Sequence, residues 1–445
     1  MEIFTIGGFD EVGRNMTAVR TGEDVFIFDA GVFLPAIVEL QEQETEQQSY
    51  TEKKLRSIGA IPDDLILDKM GLRDKVRAIF LGHAHLDHIG AIPYMSYRYN
   101  APIIGTPFTI EVLKKVMEDV RIPNPLKTVN PNASFFIRGK SSNYQIDFIN
   151  ITHSTIQTSM MALHTPEGVV LYANDFKLDN TPILGLPPNY DLLKKIAKEG
   201  IKVLIVDSLY SGVERKTPSE KIARALLEEV MLTVKNENSA VFVTTFSSHI
   251  ARLKSIVDFG KKLNRKIYFV GRSMKKYVSS AIDVGMCPFQ KDIQLVTYKK
   301  QLETVFRKVE KDRENSLVVC TGHQGEPGSI MDRLSRGKLP FAFRPRDNVI
   351  FSSKTIPAPA NVANKEQMDK RLKKYGVRLF DNIHVSGHPG REDLRDLISL
   401  IQPQNIIPAH GSLMHLTPMV ELAKEMGYKA GKECHLMGNG QRLRL

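Results

Sequence analysis

Short apolar runs alternate with amphipathic segments along most of the chain. Two examples are AVFVTTF (240–246), which precedes SSHIARLKSIVDFGKKLN (247–264), and KIYFVG (266–271), which precedes SMKKYVSSAIDVG (273–285). Apolar runs of this length are typical of buried strands, whereas apolar positions three and four apart are typical of one helix face. The alternation therefore predicts an α/β fold.

Local signals mark where some of these elements begin. Ser247 or Ser248 is available as the N-cap of the helix that follows AVFVTTF. The segment from Thr217 to Glu220 has the spacing of a capping box, with proline at the first helical position. Residues 39–57 are polar and lack periodicity, so we expect an exposed insertion there and assign it no chemistry.

The size and composition of the chain predict a folded protein with two domains. Its 445 residues exceed the length at which one core usually stops growing, about 250–300 residues, and 42% of them are hydrophobic. Apolar runs shorter than about 18 residues and a start without a signal-peptide pattern predict a cytoplasmic protein with no membrane contact. Cys287, Cys320 and Cys434 are scattered, which favours buried free thiols over disulfides or a thiolate zinc site.

Positive charge is concentrated in one block of the chain. Residues 211–380 contain 33 Lys and Arg against 17 Asp and Glu, whereas the whole chain has a formal charge of +11. Lys and Arg that neutralise phosphates gain affinity by releasing counterions, so this block is a candidate surface for a polyanion. Charge alone leaves a merely basic, solvated surface equally possible and does not distinguish RNA from DNA or from another anionic partner.

The densest candidate chemistry is LGHAHLDHIG (81–90), which contains three of the twelve histidines. It connects the predicted strand VRAIFLG (76–82) to a predicted helix that begins near Asp87. Ligands collect at the carboxyl ends of strands in α/β proteins, and this loop can turn His83, His85, Asp87 and His88 towards one point. Imidazole nitrogens with a carboxylate oxygen suit zinc, manganese or iron, so we predict a metal site.

Three more candidate ligands also follow apolar strands. His153 follows FINIT (148–152), Asp175 follows GVVLYAN (168–174) and His410 follows NIIPA (405–409). Each of them alone is more often a structural residue of a loop. Together with the histidine loop they make the set that two metal ions about 3.5–4 Å apart require, with one carboxylate able to bridge them.

These motifs resemble those of the metallo-β-lactamase fold, in which H-x-H-x-D-H is followed by a lone histidine, a bridging aspartate and a final histidine. The resemblance implies one metal held by His83, His85 and His153, a second held by Asp87, His88 and His410, and Asp175 between them. It also implies that Asp29, in VFIFDAG (25–31), orients the histidine loop without being a ligand.

Asp175 and His410 are 235 positions apart in the chain, and the interval contains the basic block. This arrangement is similar to the β-CASP nucleases, in which a cap domain interrupts the lactamase-like core. GGFDEVGRNM, GHAHLDHIGAIPY, TGHQGEPGS and HVSGHPGREDL resemble segments of the ribonuclease J family in particular. The resemblance implies an αββα core in residues 1–210 and 381–445, interrupted by an α/β β-CASP domain in residues 211–380.

The ending at GNGQRLRL resembles archaeal-type members, which lack the extra C-terminal domain of bacterial ones. Ser412 and Pro389-Gly390 also depart from the bacterial pattern, which affects the expected phosphate contacts but not the metal ligands.

The resemblance also implies a mechanism and a set of functional residues. Two ions, zinc or alternatively manganese, activate a water, and Asp87 or Asp175 accepts its proton. His388 protonates the leaving oxygen and holds the scissile phosphate, with Asp207 orienting a neighbour. Candidate phosphate contacts, for which capping or solvation is an equally good explanation, are His384, Ser386, Ser247 and Ser353. The glycine-rich loop TGHQGEPGS (321–329) is a weak further candidate.

The expected function is a 5′-to-3′ exoribonuclease that acts on single-stranded RNA with a 5′-monophosphate, as a homodimer. Two alternatives stay open. One is an endonuclease of the same superfamily that processes RNA or repairs DNA, and the other is an RNA-binding protein that does not cleave. The complete set of ligand residues argues against the second alternative.

Overall fold

The computed structural model describes residues 1–43, 50–116, 118, 120, 122–356 and 359–445. The chain forms two compact units. The first contains Met1–Asn180, Gly185–Thr217 and Ser386–Leu445, and the second contains Thr181–Leu184 and Pro218–Val385. Both units are built of strands and helices, and the predicted α/β class is confirmed.

The boundaries of the inserted unit lie a few residues later than the sequence predicted, at 217/218 and 385/386 instead of 210/211 and 380/381. Thr217 Oγ1 donates a hydrogen bond of 2.6 Å to the carbonyl oxygen of His388, and Tyr210 forms a β-bridge with Gly390. These contacts tie 211–217 to the first unit. The carbonyl oxygen of Ile383 accepts from Arg252, which keeps 381–385 in the second unit.

The first unit contains two sheets, with strands numbered in chain order through the whole molecule. The seven-stranded sheet has the order β19-β1-β2-β3-β4-β5-β6. Its strands are β1 (Glu2–Gly7), β2 (Met16–Thr21), β3 (Asp24–Phe28), β4 (Val76–Leu81), β5 (Ile103–Gly105), β6 (Leu126–Thr128) and β19 (Gln441–Arg444). The six-stranded sheet has the order β18-β11-β10-β9-β8-β7. Its strands are β7 (Ser134–Arg138), β8 (Asn143–Asn150), β9 (Ser159–Thr165), β10 (Gly168–Ala173), β11 (Ile201–Asp207) and β18 (Ile406–Ala409).

One apolar core joins these two sheets. Phe26 and Phe80 of the first sheet pack with Phe148, Met161 and Ile205 of the second, and all five side chains are fully buried. The opposite face of the second sheet packs against helices α7, α14 and α15, which span Tyr190–Ala197, Arg391–Ile401 and Leu413–Glu425. Alternating apolar positions on two facing sheets explain this arrangement, because each sheet must bury one face against another layer.

The second unit has one six-stranded sheet, of order β14-β13-β15-β12-β16-β17, in which every pair of neighbours is parallel. Its strands are β12 (Val241–Thr244), β13 (Lys266–Val270), β14 (Ile293–Val296), β15 (Ser316–Cys320), β16 (Asn348–Phe351) and β17 (Arg378–Phe380). A parallel sheet requires helical crossovers, which the amphipathic segments between these strands supply.

The remaining helices connect these strands. They are α1 (Leu34–Gln43), α2 (Glu52–Ser57), α3 (Leu65–Lys69), α4 (Leu86–Ile89), α5 (Ile92–Met95), α6 (Pro107–Val116), α8 (Glu220–Glu228), α9 (Ile250–Lys262), α10 (Arg272–Asp283), α11 (Lys299–Lys311), α12 (Ile330–Ser335) and α13 (Pro359–Lys374). Single 3₁₀ turns span Arg73–Lys75, Ser96–Arg98 and Gln290–Asp292, and a π turn spans Glu229–Thr233. None of the helices in the described ranges is long and apolar enough to cross a membrane.

Several local predictions need correction. The N-cap of α9 is His249, whose ring accepts from the Arg252 amide, and not Ser247 or Ser248. The N-cap of α8 is Ser219, and Thr217 instead binds the His388 carbonyl.

The segments around the histidine loop and the polar insertion also differ from the expectation. The helix predicted near Asp87 is broken into α4 and α5, separated by Gly90 and Ala91. The polar stretch 39–57 contains the end of α1 and all of α2. The α2 helix packs against the protein through Leu55, whose side chain is fully buried. Residues 44–49 of that stretch lie outside the described residues.

All three cysteines are free and buried, as predicted.

Candidate metal centre

Seven predicted ligands converge at the carboxyl ends of strands in the first unit. Each of them comes shortly after the apolar sequence of a buried strand. His83 and His85 follow β4, with Asp87 and His88 in the adjoining turn of α4, and His153, Asp175 and His410 follow β8, β10 and β18. Their ligand atoms form two groups in which all atoms lie within 4.8 Å of one another.

Asp175 belongs to both groups. Its Oδ2 lies 3.5 Å from His83 Nε2 and 3.6 Å from His153 Nε2. Its Oδ1 lies 3.3 Å from His88 Nε2 and 3.4 Å from His410 Nδ1. One carboxylate therefore presents a separate oxygen to each group, which is the geometry of a bridging ligand.

The ring nitrogens of the first group approach one another closely. His85 Nδ1 lies 3.1 Å from His83 Nε2 and 3.2 Å from His153 Nε2. In the second group, His88 Nε2 lies 3.6 Å from Asp87 Oδ2. Ligands about 2.0–2.1 Å from a tetrahedral zinc ion lie about 3.3–3.4 Å apart, so these separations fit such an ion.

An unpaired buried atom supports the same fit. Within the described residues, Asp175 Oδ1, which faces the second group, is buried without a hydrogen bond of acceptable geometry. Imidazole and carboxylate donors without thiolates suit zinc or manganese. The residues present therefore fit one divalent ion in each group.

Burial keeps the first group in the form that binds metal. Burial, with a contribution from the neighbouring rings, holds the pKa of His83 well below its usual range. Burial also lowers the pKa of His153, and that of His85 to about 4. These three imidazoles are neutral at pH 7, as a metal ligand must be.

The second group has the opposite electrostatics. Burial alone would lower the pKa of His88, but Asp175, Asp29 and Asp87 together raise it well above the ordinary value. Burial would likewise raise the pKa of Asp175, yet the histidines around it hold that pKa well below the usual range. The three carboxylates around His88 therefore favour a positive charge in this group.

Asp29 supports the histidine loop, in the position predicted for a group that is not a ligand. Its Oδ2 lies 2.7 Å from His88 Nδ1 and accepts from the Tyr172 hydroxyl at 2.9 Å, and its Oδ1 accepts from the Gly82 amide at 2.9 Å. With Nδ1 of His88 directed at Asp29, Nε2 faces the ligand group, where Asn15 Nδ2 also lies 3.1 Å away. Tyr172 was not predicted from the sequence.

Asn15 is a second residue that the sequence analysis missed. Its Nδ2 donates to the Asp87 carbonyl at 3.1 Å, and its Oδ1 lies 3.1 Å from His410 Nδ1. Asn174 Nδ2 in turn donates to Asn15 Oδ1 at 3.0 Å. Asn15 lies within GGFDEVGRNM, but an amide before a strand has no spacing that marks it as part of a metal site.

His153 is oriented by the backbone. Its Nδ1 donates to the carbonyl of Gly387 at 2.7 Å, which leaves Nε2 for the cluster. A Cβ atom on Gly387 would lie 2.9 Å from the His153 ring, so this close approach requires glycine. The glycine of HVSGHPG therefore has a structural role at the site.

Three of the site residues have left-handed backbone conformations. Asp29, Asp175 and His410 have φ angles of 60°, 58° and 62°. Such conformations are uncommon outside glycine and are retained where surrounding contacts fix them. The turn after each strand thus bends sharply enough to direct the side chain into the cluster.

His388 and Asp207 form a pair beside the two ligand groups. His388 Nδ1 donates to Asp207 Oδ2 at 2.8 Å and lies 3.9 Å from Asp175 Oδ2. Burial would lower the pKa of His388, but Asp207 and Asp175 raise it to about 9. Asp207 also accepts from the Leu209 amide at 2.9 Å, which fixes the carboxylate.

The four predicted phosphate contacts do not lie in one unit. Ser386 is in the first unit, where its Oγ accepts from the His388 amide at 3.0 Å. Ser247, Ser353 and His384 are in the second unit. Ser247 and Ser353 are buried and His384 is half-buried, with its ring 6.5 Å from that of Phe246.

Three family models match consecutive parts of the chain. Residues 9–206 match the metallo-beta-lactamase superfamily, and residues 238–370 match the beta-CASP domain of ribonuclease J. Residues 375–437 match the RNA specificity domain of Zn-dependent metallo-hydrolases.

Relatives match along the whole chain. A ribonuclease J of Methanocaldococcus jannaschii is 40% identical over 99% of this chain and 98% of its own length. A ribonuclease J of Pyrococcus abyssi is 42% identical over 99% of this chain and 96% of its own length. One of Helicobacter pylori is 30% identical over the full chain and 60% of its own length. A solved structure of unknown function from Enterococcus faecalis has a TM-score of 0.65 at 18% identity, covering 100% of this chain and 99% of that one, which shows the fold alone.

Proposed function

The chain belongs to the ribonuclease J family, a family of metal-dependent ribonucleases, and we propose that it degrades single-stranded RNA from the 5′ end towards the 3′ end. The observation that carries this proposal is the geometry of Asp175, whose two oxygens face two separate histidine groups beside the His388–Asp207 pair. Two divalent ions and a nearby acid can together promote hydrolysis of a phosphodiester.

In this proposal His83, His85 and His153 would hold one ion, Asp87, His88 and His410 would hold the other, and Asp175 would contribute to both groups. Two divalent ions there, zinc or alternatively manganese, supply the positive charge that makes a water acidic near neutral pH and offsets the charge of the attacked phosphate.

The protein moves the protons. Asp87 or Asp175 takes the proton of the attacking water, since their carboxylates line the cluster. His388 gives a proton to the leaving oxygen and contacts the scissile phosphate. Asp207 holds His388 Nδ1 and keeps the ring protonated, so that Nε2 carries the transferable proton.

We retain His384, Ser386, Ser247 and Ser353 as proposed contacts to RNA phosphates, with preference for a 5′-monophosphate. The homodimer and the cytoplasmic location stay predictions.

The test uses linear RNA labelled at either end and bearing a 5′-monophosphate, a 5′-triphosphate or a 5′-hydroxyl. We expect mononucleotides from the 5′ end, fastest with the monophosphate, and loss of all cleavage after chelation of metal. Internal fragments from every substrate, and from circular RNA, would instead support the endonuclease. RNA that is bound but left intact with each divalent ion would support the protein that does not cleave.

A further inference from the structure

A groove lies at the amino edge of the second unit's sheet, where the last turns of α11, α12 and α13 lead into β15, β16 and β17. Its volume of about 350 Å³ is at the small end of the range for ligand pockets, about 300–1,000 Å³. Ser247 and Ser353 follow the opposite, carboxyl ends of β12 and β16, so the groove is separate from those proposed phosphate contacts. Its lining includes Glu310, Leu334, Pro340, Phe343 and Tyr375.

The inner wall of the groove is aromatic. The Phe341 and Phe343 rings are buried and lie 5.2 Å apart in an edge-to-face arrangement. The Tyr375 ring lies 6.3 Å from that of Phe343, but Tyr375 is 38% exposed. Its backbone is fixed at the end of α13, because the Tyr375 amide donates to the Leu372 carbonyl at 3.0 Å. A ring that is held in this way and partly exposed is a surface on which a planar group can stack.

The two segments that supply most of the lining are strongly basic. Residues 333–346 contain five Lys and Arg, residues 370–378 contain another five, and neither segment contains Asp or Glu. Lys338 and Lys374 are each next in sequence to a lining residue. Both are exposed, and neither forms an ion pair with a residue that the structure describes.

Glu310 is the acidic residue of the lining, and it is already paired. Its Oε2 accepts from Arg313 Nη2 at 2.5 Å, and Arg344 forms a second ion pair with it. Arg313 Nη1 in turn lies 2.7 Å from Asp347 Oδ2. These carboxylates are therefore neutralised within the protein, whereas the two exposed lysines are not. The positive charge that remains at the groove is complementary to a polyanion.

The exposed ring and the surplus positive charge together favour single-stranded RNA as the occupant. Proteins that bind single strands stack bases on aromatic side chains and contact the phosphates with Lys and Arg. An acidic peptide would match the charge, but its carboxylates would leave the Tyr375 ring unstacked. RNA is also the polyanion expected for a chain of a ribonuclease family.

We propose that this groove is an RNA-binding site distinct from the phosphate contacts given above. One base stacks on Tyr375, and Lys338 and Lys374 contact the neighbouring phosphates. The site requires no particular sequence, because every base has a face that can stack. The proposal rests on the proposed function only in taking single-stranded RNA as the ligand.

The test places one fluorescent ring in the groove. The chain contains no tryptophan, so Tyr375→Trp makes this position the only source of indole emission. A single-stranded RNA oligonucleotide with a 5′-hydroxyl is added to the full chain after removal of metal by chelation, so that no RNA is cleaved. We expect the emission to fall as RNA binds, because a stacked base quenches indole. The fall should follow the binding curve obtained from the anisotropy of labelled RNA.

Further variants measure how much the groove contributes to RNA affinity. Tyr375→Ala should weaken RNA binding by about 5-fold or more, as for loss of one stacked base, whereas Tyr375→Phe should bind as the unaltered protein does. Lys338→Gln and Lys374→Gln should each reduce the slope of log K against log salt by about 0.7, as for loss of one phosphate contact to a single strand.

Tyr97→Trp is the matched control, because Tyr97 is 55% exposed and lies in the first unit, where its hydroxyl hydrogen-bonds to Glu52. Its emission should not change when RNA binds. An equal fall in the Tyr97→Trp and Tyr375→Trp proteins would show that the quenching does not report the groove, and would count against the proposal.

The proposal is overturned if Tyr375→Trp binds RNA with no change in emission. If that variant does not fold, an unchanged salt slope in Lys338→Gln overturns it equally. An emission change with poly-glutamate that matches the change with RNA would assign the groove to an acidic protein instead. Emission that depends on protein concentration without RNA would assign it to a second copy of the chain.

Failure of the proposed function gives a different result. In that case the metal-loaded, unaltered protein would not release nucleotides from the 5′ end of RNA, while RNA would still quench the emission of Tyr375→Trp.

Discussion

At the scale of single residues, His388 is the group whose role separates most clearly from that of the metal ligands. Its Nδ1 is occupied by Asp207, and the pair lies next to Asp175 without belonging to either set of four ligands. We expect His388→Ala to lower kcat by roughly 10²-fold or more, as for loss of a general acid, with no change in bound metal. Steady-state kinetics with metal analysis of the same samples measures both.

Loss of metal together with activity would show that His388 is a ligand. His435→Ala is a suitable control, because His435 hydrogen-bonds to Asn405 and is not part of the ligand groups.

Asn15 gives a second prediction at this scale. It connects the backbone of Asp87 to the His410 ring, so Asn15→Ala should weaken metal binding by about 10- to 100-fold. A titration against a competing chelator measures this affinity. Asn405→Ala, which removes an amide bonded to the Lys202 carbonyl, is the control. Equal metal affinity in Asn15→Ala and the unaltered protein would show that Asn15 does not support the metal ligands.

The ligand residues could be predicted from the sequence, whereas their supports could not. H-x-H-x-D-H has a fixed spacing because one loop supplies all four side chains. Asn15, just before β2, and Tyr172, in β10, reach the site from two different sheets, and the left-handed conformation of Asp175 depends on contacts made after folding. No local pattern encodes such contacts.

At the scale of elements, Arg252 joins four segments of the second unit. Its fully buried guanidinium donates to Glu220 Oε2 at the start of α8, to Ser352 O after β16 and to Ile383 O just before His384, at 2.9, 3.0 and 3.1 Å. Arg252→Met should lower the free energy of unfolding by about 3–5 kcal/mol, because it removes the guanidinium that neutralises the buried Glu220 carboxylate. Urea denaturation measures the change.

Adding Glu220→Leu to Arg252→Met should restore part of that stability, since it removes the buried carboxylate that has lost its guanidinium partner. The control is Arg224→Met, which breaks the more exposed ion pair with Asp258 between the same two helices. Arg224→Met should cost about 1 kcal/mol or less. Equal losses in the two single variants would contradict the role given to Arg252.

A pH dependence of stability is expected where β8 and β9 pair. Burial would lower the pKa of His164, but Asp147 and Glu199, at 2.8 and 2.9 Å, raise it above the usual value of 6.5. A raised pKa in the folded state stabilises the protein below about pH 6.5 and loses this effect as pH rises through the folded value. The melting-temperature difference between the unaltered protein and His164→Gln should therefore shrink as pH rises above 6.5. A difference independent of pH would exclude a contribution from the charged ring.

At the scale of the whole molecule, the chemistry and the positive charge lie in different parts of the chain. All candidate ligands are in the first unit, whereas residues 211–380 contain 33 Lys and Arg against 17 Asp and Glu. We expect Asp175→Ala to abolish cleavage while largely sparing RNA affinity. Binding should weaken as the salt concentration rises, because Lys and Arg that neutralise phosphates gain affinity by releasing counterions. If Asp175→Ala lost RNA affinity as severely as it loses cleavage, the separation between the catalytic residues and the RNA-binding charge would be contradicted.

The two-unit organisation and the α/β class could be predicted because strand and helix periodicities persist along the chain. The exact boundaries of the inserted unit could not be predicted from the sequence. Residues 211–217 are polar like the insert that follows, and only the hydrogen bond from Thr217 to the His388 carbonyl assigns them to the first unit. Strand order in the second unit could not be predicted either, because three of its five crossovers join strands that are not neighbours in the sheet.

That bond from Thr217 has a consequence for how such a protein can change over evolutionary time. The chain leaves the first unit just after Thr217 and re-enters it just before His388, so the exit and the entry are neighbours in space. A gene segment exchanged between these two points needs no rearrangement of the ligand loops. Descendants can therefore acquire a new substrate by replacing a cassette while inheriting the hydrolytic centre unchanged.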